Sequence, residues 1–381
     1  MSPRERVVAA LEHKEPDRVP IDLGGSVSCI HLGAYERLIR LLGLKVKVKI
    51  GDKIQQLAKL DEPVLERLGV DFRHVSLKKG FFVGGTDRFD DPSGRPYFID
   101  DWGIKWAKNP YYYDMVYHPL ENLTIDDLDD YPWPDPRDPA RYEGLREEVR
   151  NLYQATDYAL VADSIFGGIY ECAWWLRGFE KFNVDMYKRP DFAEAFLDKI
   201  LELYMGFYSR YLEKVGDYVQ IVELGDDVGA QTGPIISPAL FRRYIKPRWK
   251  KLYDLIHSKT RAKIFHHSCG SIYQFIGDLI DVGVDVLNPI QPLAANMDIG
   301  RIKEEFGDRL SLHGGVDIQR VLPLGTPNDV VEEVKRVIRL AALNGGYILA
   351  SAHNIQADTP AENIKAMFEA ARKFGVYPIK L

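Results

Sequence analysis

The chain has 381 residues, 46% of them hydrophobic, enough for one large domain or two ordinary ones with a substantial core. Lys and Arg number 50 against 56 Asp and Glu, a formal charge of −6, and no long basic stretch occurs, which excludes a nucleic-acid partner of the usual electrostatic kind. No apolar run reaches the length of a membrane span, and no apolar core follows Met1-Ser2-Pro3-Arg4-Glu5-Arg6, so a soluble cytoplasmic protein with no membrane partner is expected. Three cysteines (Cys29, Cys172, Cys269) are too few and too scattered for a disulfide framework.

In chain order, short apolar strands alternate with amphipathic helices, the pattern of parallel strands joined by crossover helices. The expected strands are Val19–Leu23, Asp71–Leu77, Tyr158–Ala162, Tyr218–Leu224, Lys263–His267, Val284–Pro289, Leu310–His313 and Tyr347–Ala352. Eight such strands predict a (β/α)8 TIM barrel, with polar residues after nearly every strand converging on one mouth. A doubly wound open sheet is the competing topology. Residues 1–60 supply N-terminal helices. Residues 78–150, with Gly84-Gly85, Trp102-Gly103 and Tyr111-Tyr112-Tyr113, predict an inserted hairpin and loop region within one barrel domain. Its aromatic loops over 100–135 offer an interface for a homo-oligomer. Ser237-Pro238 opens a helix running past Trp249 toward His257, which Pro247 should kink. Thr326-Pro327-Asn328-Asp329 opens a later helix, and Thr359-Pro360-Ala361-Glu362 reads as a capping box for the last one.

The chemistry-bearing residues follow the strands. Asp163 precedes a glycine pair, Gly167-Gly168. Glu223, Asp226 and Asp227 place three carboxylates in five residues, candidates for proton transfer or, for Glu223, metal ligation. His267-Ser268-Cys269 ends a strand with imidazole and thiol two positions apart, and His353 ends another: imidazole and thiolate are common zinc ligands. His266 should face the outer helices, because side chains alternate along a strand. Asn288 is placed to orient a substrate or hold its loop. Gly314 and Gly315 offer close backbone approach to a ligand or cofactor. His313 reads as a supporting group, and His31, His74 and His118 as structural.

Taken together, Asp226–Arg242, His267–Gly270, Val284–Pro289, Phe306–Asp317 and Thr359–Met367 resemble the uroporphyrinogen decarboxylase superfamily, which includes cobalamin-dependent methyltransferases. The resemblance implies a (β/α)8 barrel. Its methyltransferase branch binds zinc through His-x-Cys and a distant Cys. His267 and Cys269 match the first two, and His353 stands where the distant Cys is expected. The resemblance therefore implies a zinc-dependent methyltransferase that moves a methyl group between a small thiol, methyl ether or methanol-like substrate and a cobalamin carried by a separate corrinoid protein. The decarboxylase branch holds its substrate's carboxylates with arginines near the first strand, whereas this chain reads Ile21-Asp22-Leu23-Gly24-Gly25-Ser26-Val27-Ser28-Cys29 there. Decarboxylation of a smaller acid and a non-catalytic ligand- or corrinoid-protein-binding barrel are the alternatives.

Overall fold

The computed structural model describes residues 1–81, 85–90 and 92–380, so Gly84 lies outside the described residues. Seven parallel strands form one sheet, paired in chain order: β1 (Phe72–Val75), β2 (Ala159–Ala162), β3 (Ile221–Gly225), β4 (Lys263–His267), β5 (Val286–Asn288), β6 (Ser311–Val316) and β7 (Tyr347–Ser351). The remaining expected strand, Val19–Leu23, lies between the two ends of that sheet. On one side Asp22 N–H donates to Leu349 O and Leu349 N–H to Pro20 O; on the other Asp71 N–H donates to Ile21 O. It makes an isolated parallel bridge rather than a ladder. Pro20 has no N–H to give, and the Ile21 N–H is taken by the Asp71 carboxylate at 2.8 Å. The barrel is thus (β/α)8 in topology, with its first strand held by side-chain as well as backbone bonds.

Period-two alternation divides the barrel interior into two layers. The lower layer is apolar: Phe72, Ala159, Val161, Ile221, Phe265, Val286 and Ile348 pack with Val7 and Leu11 as a cluster separate from the main core. Val7 and Leu11 come from the helix Pro3–Leu11, which closes the barrel's N-terminal end and begins with a capping box between Ser2 and Glu5. Two residues further along each strand, the inward positions turn polar: His74 after Phe72, Asp163 after Val161, Glu223 after Ile221, His267 after Phe265 and Asn288 after Val286.

The outer helices follow the local signals with two differences. Thr326 caps the helix Pro327–Ala341 together with Asp329. The last helix, Ala361–Phe374, has Pro360 rather than Thr359 at its N-cap, and the buried Thr359 hydroxyl makes no hydrogen bond. The kink expected from Pro247 takes the form of a π-helical turn over Phe241–Ile245, which leads into the helix Lys246–Lys259. The inserted region forms a three-stranded antiparallel sheet, Tyr97–Ile99, Lys105–Lys108 and Tyr113–Tyr117. Trp102 anchors it to the loop after β2 by stacking on Phe166, with ring centroids 5.4 Å apart. No helix among the described residues is long and apolar enough to cross a membrane.

The lower layer supports the polar one, so its loss should be costly. Phe265→Ala, which empties the centre of that layer, is expected to cost about 3–5 kcal/mol, read as a lowered denaturant midpoint. A loss under about 1 kcal/mol would show that the layer relaxes to fill the gap.

Candidate metal centre at the barrel mouth

β4 ends with His267 facing inward and His266 facing out. His266 packs against Trp249 at 4.5 Å between ring centroids and pairs with the Tyr253 hydroxyl at 2.6 Å, as alternation requires. His267, Cys269 and His353 bring one nitrogen or sulfur donor each within 4.8 Å of one another. Cys269 Sγ lies 3.3 Å from His267 Nε2, and the His267 and His353 rings meet edge to face at 5.3 Å. Burial, with His267 close by, pushes His353 down to about 3, so its imidazole is neutral with a free lone pair. Burial also lowers His267. Burial and then Asp227 push the Cys269 thiol well up.

The loop after β3 is laced onto this turn. Asp226 N–H donates to His267 O, Cys269 N–H to Asp227 Oδ1 at 2.7 Å, and Ser271 N–H to Ala230 O. Asp227 Oδ1 is also 3.8 Å from His267 Nε2. Asp226 points elsewhere. Its carboxylate accepts from the N–H groups of Tyr170 and Glu171 and from Trp249 Nε1, each at 2.9 Å, and so holds the start of the helix Ile169–Arg177. Burial raises it to about 7.

Glu223 belongs to a second group, with His74 and Asp163, whose ligating atoms also lie within 4.8 Å of one another. Ser26 Oγ donates to Glu223 Oε1 at 2.8 Å. Burial, then the Asp163 charge, lifts the Glu223 carboxyl to about 7. His74 sits between carboxylates, with Nδ1 2.7 Å from Asp163 Oδ1 and Nε2 3.1 Å from Asp22 Oδ1. Burial opposes its charge, but the two carboxylates prevail and hold its pKa well above the usual imidazole value. His74 is therefore part of the mouth rather than a structural bystander. Its partners come from the segment before β1 and from the end of β2, so local sequence did not reveal them. Glu171 was also missed. It lies on the helix that Asp226 caps, and burial, then Asp227 and Asp226, push its carboxyl well up.

Asn288 links the groups through hydrogen bonds to both His267 and His313. Gly314 and Gly315 adopt φ of 101° and 90°, a region unfavourable to other residues. A Cβ at Gly314 would lie 2.3 Å from Pro289 O, and one at Gly315 would lie 2.8 Å from Ile299 Cδ1. What approaches these glycines is the protein itself. The buried arginines are engaged away from the mouth: Arg6 with Asp17 and Asp71, Arg73 with Glu62, Arg141 with Asp101, Arg177 with Asp185 and Arg248 with Asp198.

A sequence model of the uroporphyrinogen decarboxylase (URO-D) family matches residues 116–374. The chain belongs to this family. Among its relatives, the uroporphyrinogen decarboxylase of Pelodictyon phaeoclathratiforme is 25% identical over 194 residues, 49% of this chain and 51% of that protein. The methylcobamide:CoM methyltransferase MtaA of Methanosarcina barkeri is 26% identical over 200 residues, 52% of this chain and 53% of that protein. The chain thus spans about half the length of these curated relatives. A methyltransferase from Methanosarcina mazei shares the fold with a TM-score of 0.65 at 20% identity, over 98% of this chain and 99% of that one. The URO-D family is thus one of enzymes, with decarboxylases and a methyltransferase among the matched relatives.

Two outcomes follow from the geometry of this URO-D barrel. Asp226→Ala leaves three buried donors unpaired and should destabilise the fold by about 3 kcal/mol or more, measured by chemical denaturation. Glu223, raised when folded, stabilises most below the unfolded carboxyl value of 4.5, and that contribution is lost as pH rises toward about 7. The melting temperature of the wild type should therefore fall more steeply than that of Glu223→Gln across this window. Parallel profiles would show Glu223 to be ionised throughout.

Proposed function

We propose that this chain is a corrinoid-linked methyltransferase that holds zinc between His267, Cys269 and His353. The convergence of these three donors carries the reading. A neutral imidazole pair and one thiol at a barrel mouth form a His2Cys set, which leaves the fourth tetrahedral position to a substrate or water. The donor set fits the metal chemically as well: His267 Nδ1 is tied to Asn288, leaving Nε2 toward Cys269, the arrangement in which a protein orients a ligating imidazole.

Zinc bound there supplies a Lewis acid that favours a substrate thiolate or polarises a substrate oxygen. The protein's own groups do the rest. Asp227 fixes the Cys269 backbone and lies near His267 Nε2, so it is placed to take or return the proton of a thiol or alcohol at the mouth. Glu171, its carboxyl pushed well up by burial and then by Asp227 and Asp226, is placed beside it to supply a proton. Asp226 acts through position, setting the helix that carries Glu171. Asn288 orients His267, and the strained Gly314 and Gly315 let β6 pack against Pro289. Asp163 and Glu223 line the deeper part of the mouth. The methyl-carrying corrinoid is presented by a partner protein, and the small methyl donor or acceptor enters the same opening.

Methyl transfer is favoured over uroporphyrinogen decarboxylation because the arginines that a polycarboxylate substrate would need are absent from the Ile21–Cys29 segment, and the buried ones are paired elsewhere. Protein purified without chelator should carry about one zinc per chain. Cys269→Ala should lower that occupancy and abolish methyl transfer, with the circular dichroism spectrum unchanged. His353→Cys should retain zinc and shift preference toward thiol acceptors. The assay is transfer between methylcobalamin and a panel of thiols and methyl ethers, followed by cobalamin absorbance. Zinc-loaded protein that moves no methyl group in either direction, even with its corrinoid protein supplied, would overturn the reading.

A further inference from the structure

The polar layer is wired as one hydrogen-bonded chain that runs from strand to strand. His267 Nδ1 is 2.5 Å from Asn288 Oδ1, and Asn288 Nδ2 is 2.8 Å from His313 Nδ1. His313 Nε2 is 3.0 Å from Asp22 Oδ2, and Asp22 Oδ1 is 3.1 Å from His74 Nε2. His74 Nδ1 then reaches Asp163 Oδ1 at 2.7 Å. We infer that Asn288, His313, Asp22 and His74 form a positioning relay that fixes His267 in its Nδ1–H tautomer and presents Nε2 as a lone pair beside Cys269. The inference rests on the proposed role of His267 as a ligand only for its purpose; the tautomer itself is a property of the metal-free protein.

The polarity of the chain is set at its far end. A carboxylate only accepts, so both imidazoles facing Asp22 donate to it. His74 donates to Asp22 and to Asp163, and so carries both ring protons. Asp22 remains a carboxylate: burial opposes this, but His74 and His313 together hold its pKa well below the ordinary value. Ser28 Oγ adds a third donor at 3.2 Å. His313 donates from Nε2, and the Asn288 NH2 facing its Nδ1 requires a lone pair on that nitrogen. The Asn288 side chain is thereby oriented. Its Oδ1 faces His267, and that oxygen accepts a proton from Nδ1. A neutral imidazole protonated at Nδ1 has its lone pair on Nε2, 3.3 Å from Cys269 Sγ. The reversed Asn288 would meet a lone pair on His267 Nδ1 and move the proton to Nε2, where it would block ligation. Asp22 thus selects the tautomer of a side chain that it does not touch.

Long-range 1H–15N NMR of metal-free protein labelled at its histidines reads each tautomer directly, with signals assigned from single His→Gln variants. The wild type should show His267 protonated at Nδ1, His313 at Nε2 and His74 at both nitrogens. Asp22→Asn, whose amide can donate to His313, should let a second His267 tautomer appear. Asn288→Asp should keep the His267 tautomer and add a proton to His313 Nδ1, since aspartate accepts from both rings. Asn288→Leu should weaken zinc binding roughly 10–100-fold, measured by competition with a chelator. His267 protonated at Nε2 in the wild type, or unchanged by Asp22→Asn in a protein whose circular dichroism is native, would overturn the relay. The expected tautomers in a protein that binds no zinc would leave the relay standing and remove the metal reading instead.

Discussion

The buried carboxylate of Asp22 is the constraint on which the barrel mouth depends. It comes from the one barrel strand that makes no regular ladder, and it joins His74 on the edge strand β1 to His313 on β6, one strand in from the other edge of the sheet. An unpaired carboxylate at this depth would be strongly unfavourable, so the interior is stable only while both imidazoles face it. That requirement ties the two sides of the barrel together across the strand that lacks a ladder. It also fixes the directions of the hydrogen bonds around the mouth. The segment is held from below by Asp71, which takes the Ile21 N–H and pairs with Arg6 and Arg18.

The alternation that builds the apolar plug also builds the polar ring. Along β1 to β5 an inward position of the lower layer is followed two residues later by one of the upper layer, so a single shift of register would exchange both for outward-facing residues. The apolar layer excludes water from beneath, and the inserted sheet covers part of the region above, with Trp106 against Trp175 at 6.1 Å. Between them the polar groups act in a medium of low dielectric constant, where fixed hydrogen bonds and charges have their largest effect.

The strands and the donor trio were legible in the sequence because each is local. Apolar runs mark strands, and His267-Ser268-Cys269 sits at the end of one. His353 was legible for the same reason, as the polar residue that follows β7. The supporting network was not. Asp22 and His74 each look unremarkable among their neighbours; only closure of the sheet brings residues 22, 74, 163 and 313 together. Glu223 was legible as a mouth residue but not in its grouping, since strand order rather than spacing sets it beside His74 and Asp163. Asp226 and Asp227 are adjacent in sequence and point to different tasks, one into a helix start and one toward Cys269, a division that composition cannot express. The sequence suggests that Gly314 and Gly315 give a ligand or cofactor close approach; the atoms found close to them belong to Pro289 and Ile299.

The electrostatics of the trio are asymmetric. Its two imidazoles are neutral because burial disfavours their charged forms, so each is ready to ligate without losing a proton. The thiol differs. Burial, and then the charge of Asp227, opposes thiolate formation at Cys269. A divalent cation reverses that balance, since its charge outweighs the nearby carboxylates and stabilises the thiolate directly. Ligation by this set therefore releases one proton, from Cys269, where a set with two cysteines would release two. With His353 in place of a second thiol, the proposed ligand shell would carry one negative charge instead of two, and a bound cation would keep more of its positive charge. The acidic groups nearby, Asp227 foremost, would then act as its counter-charge. An acidic mouth beside a thiol would then have an electrostatic reason: the carboxylates that make the free thiolate unfavourable would be favoured by the residual charge of a bound cation.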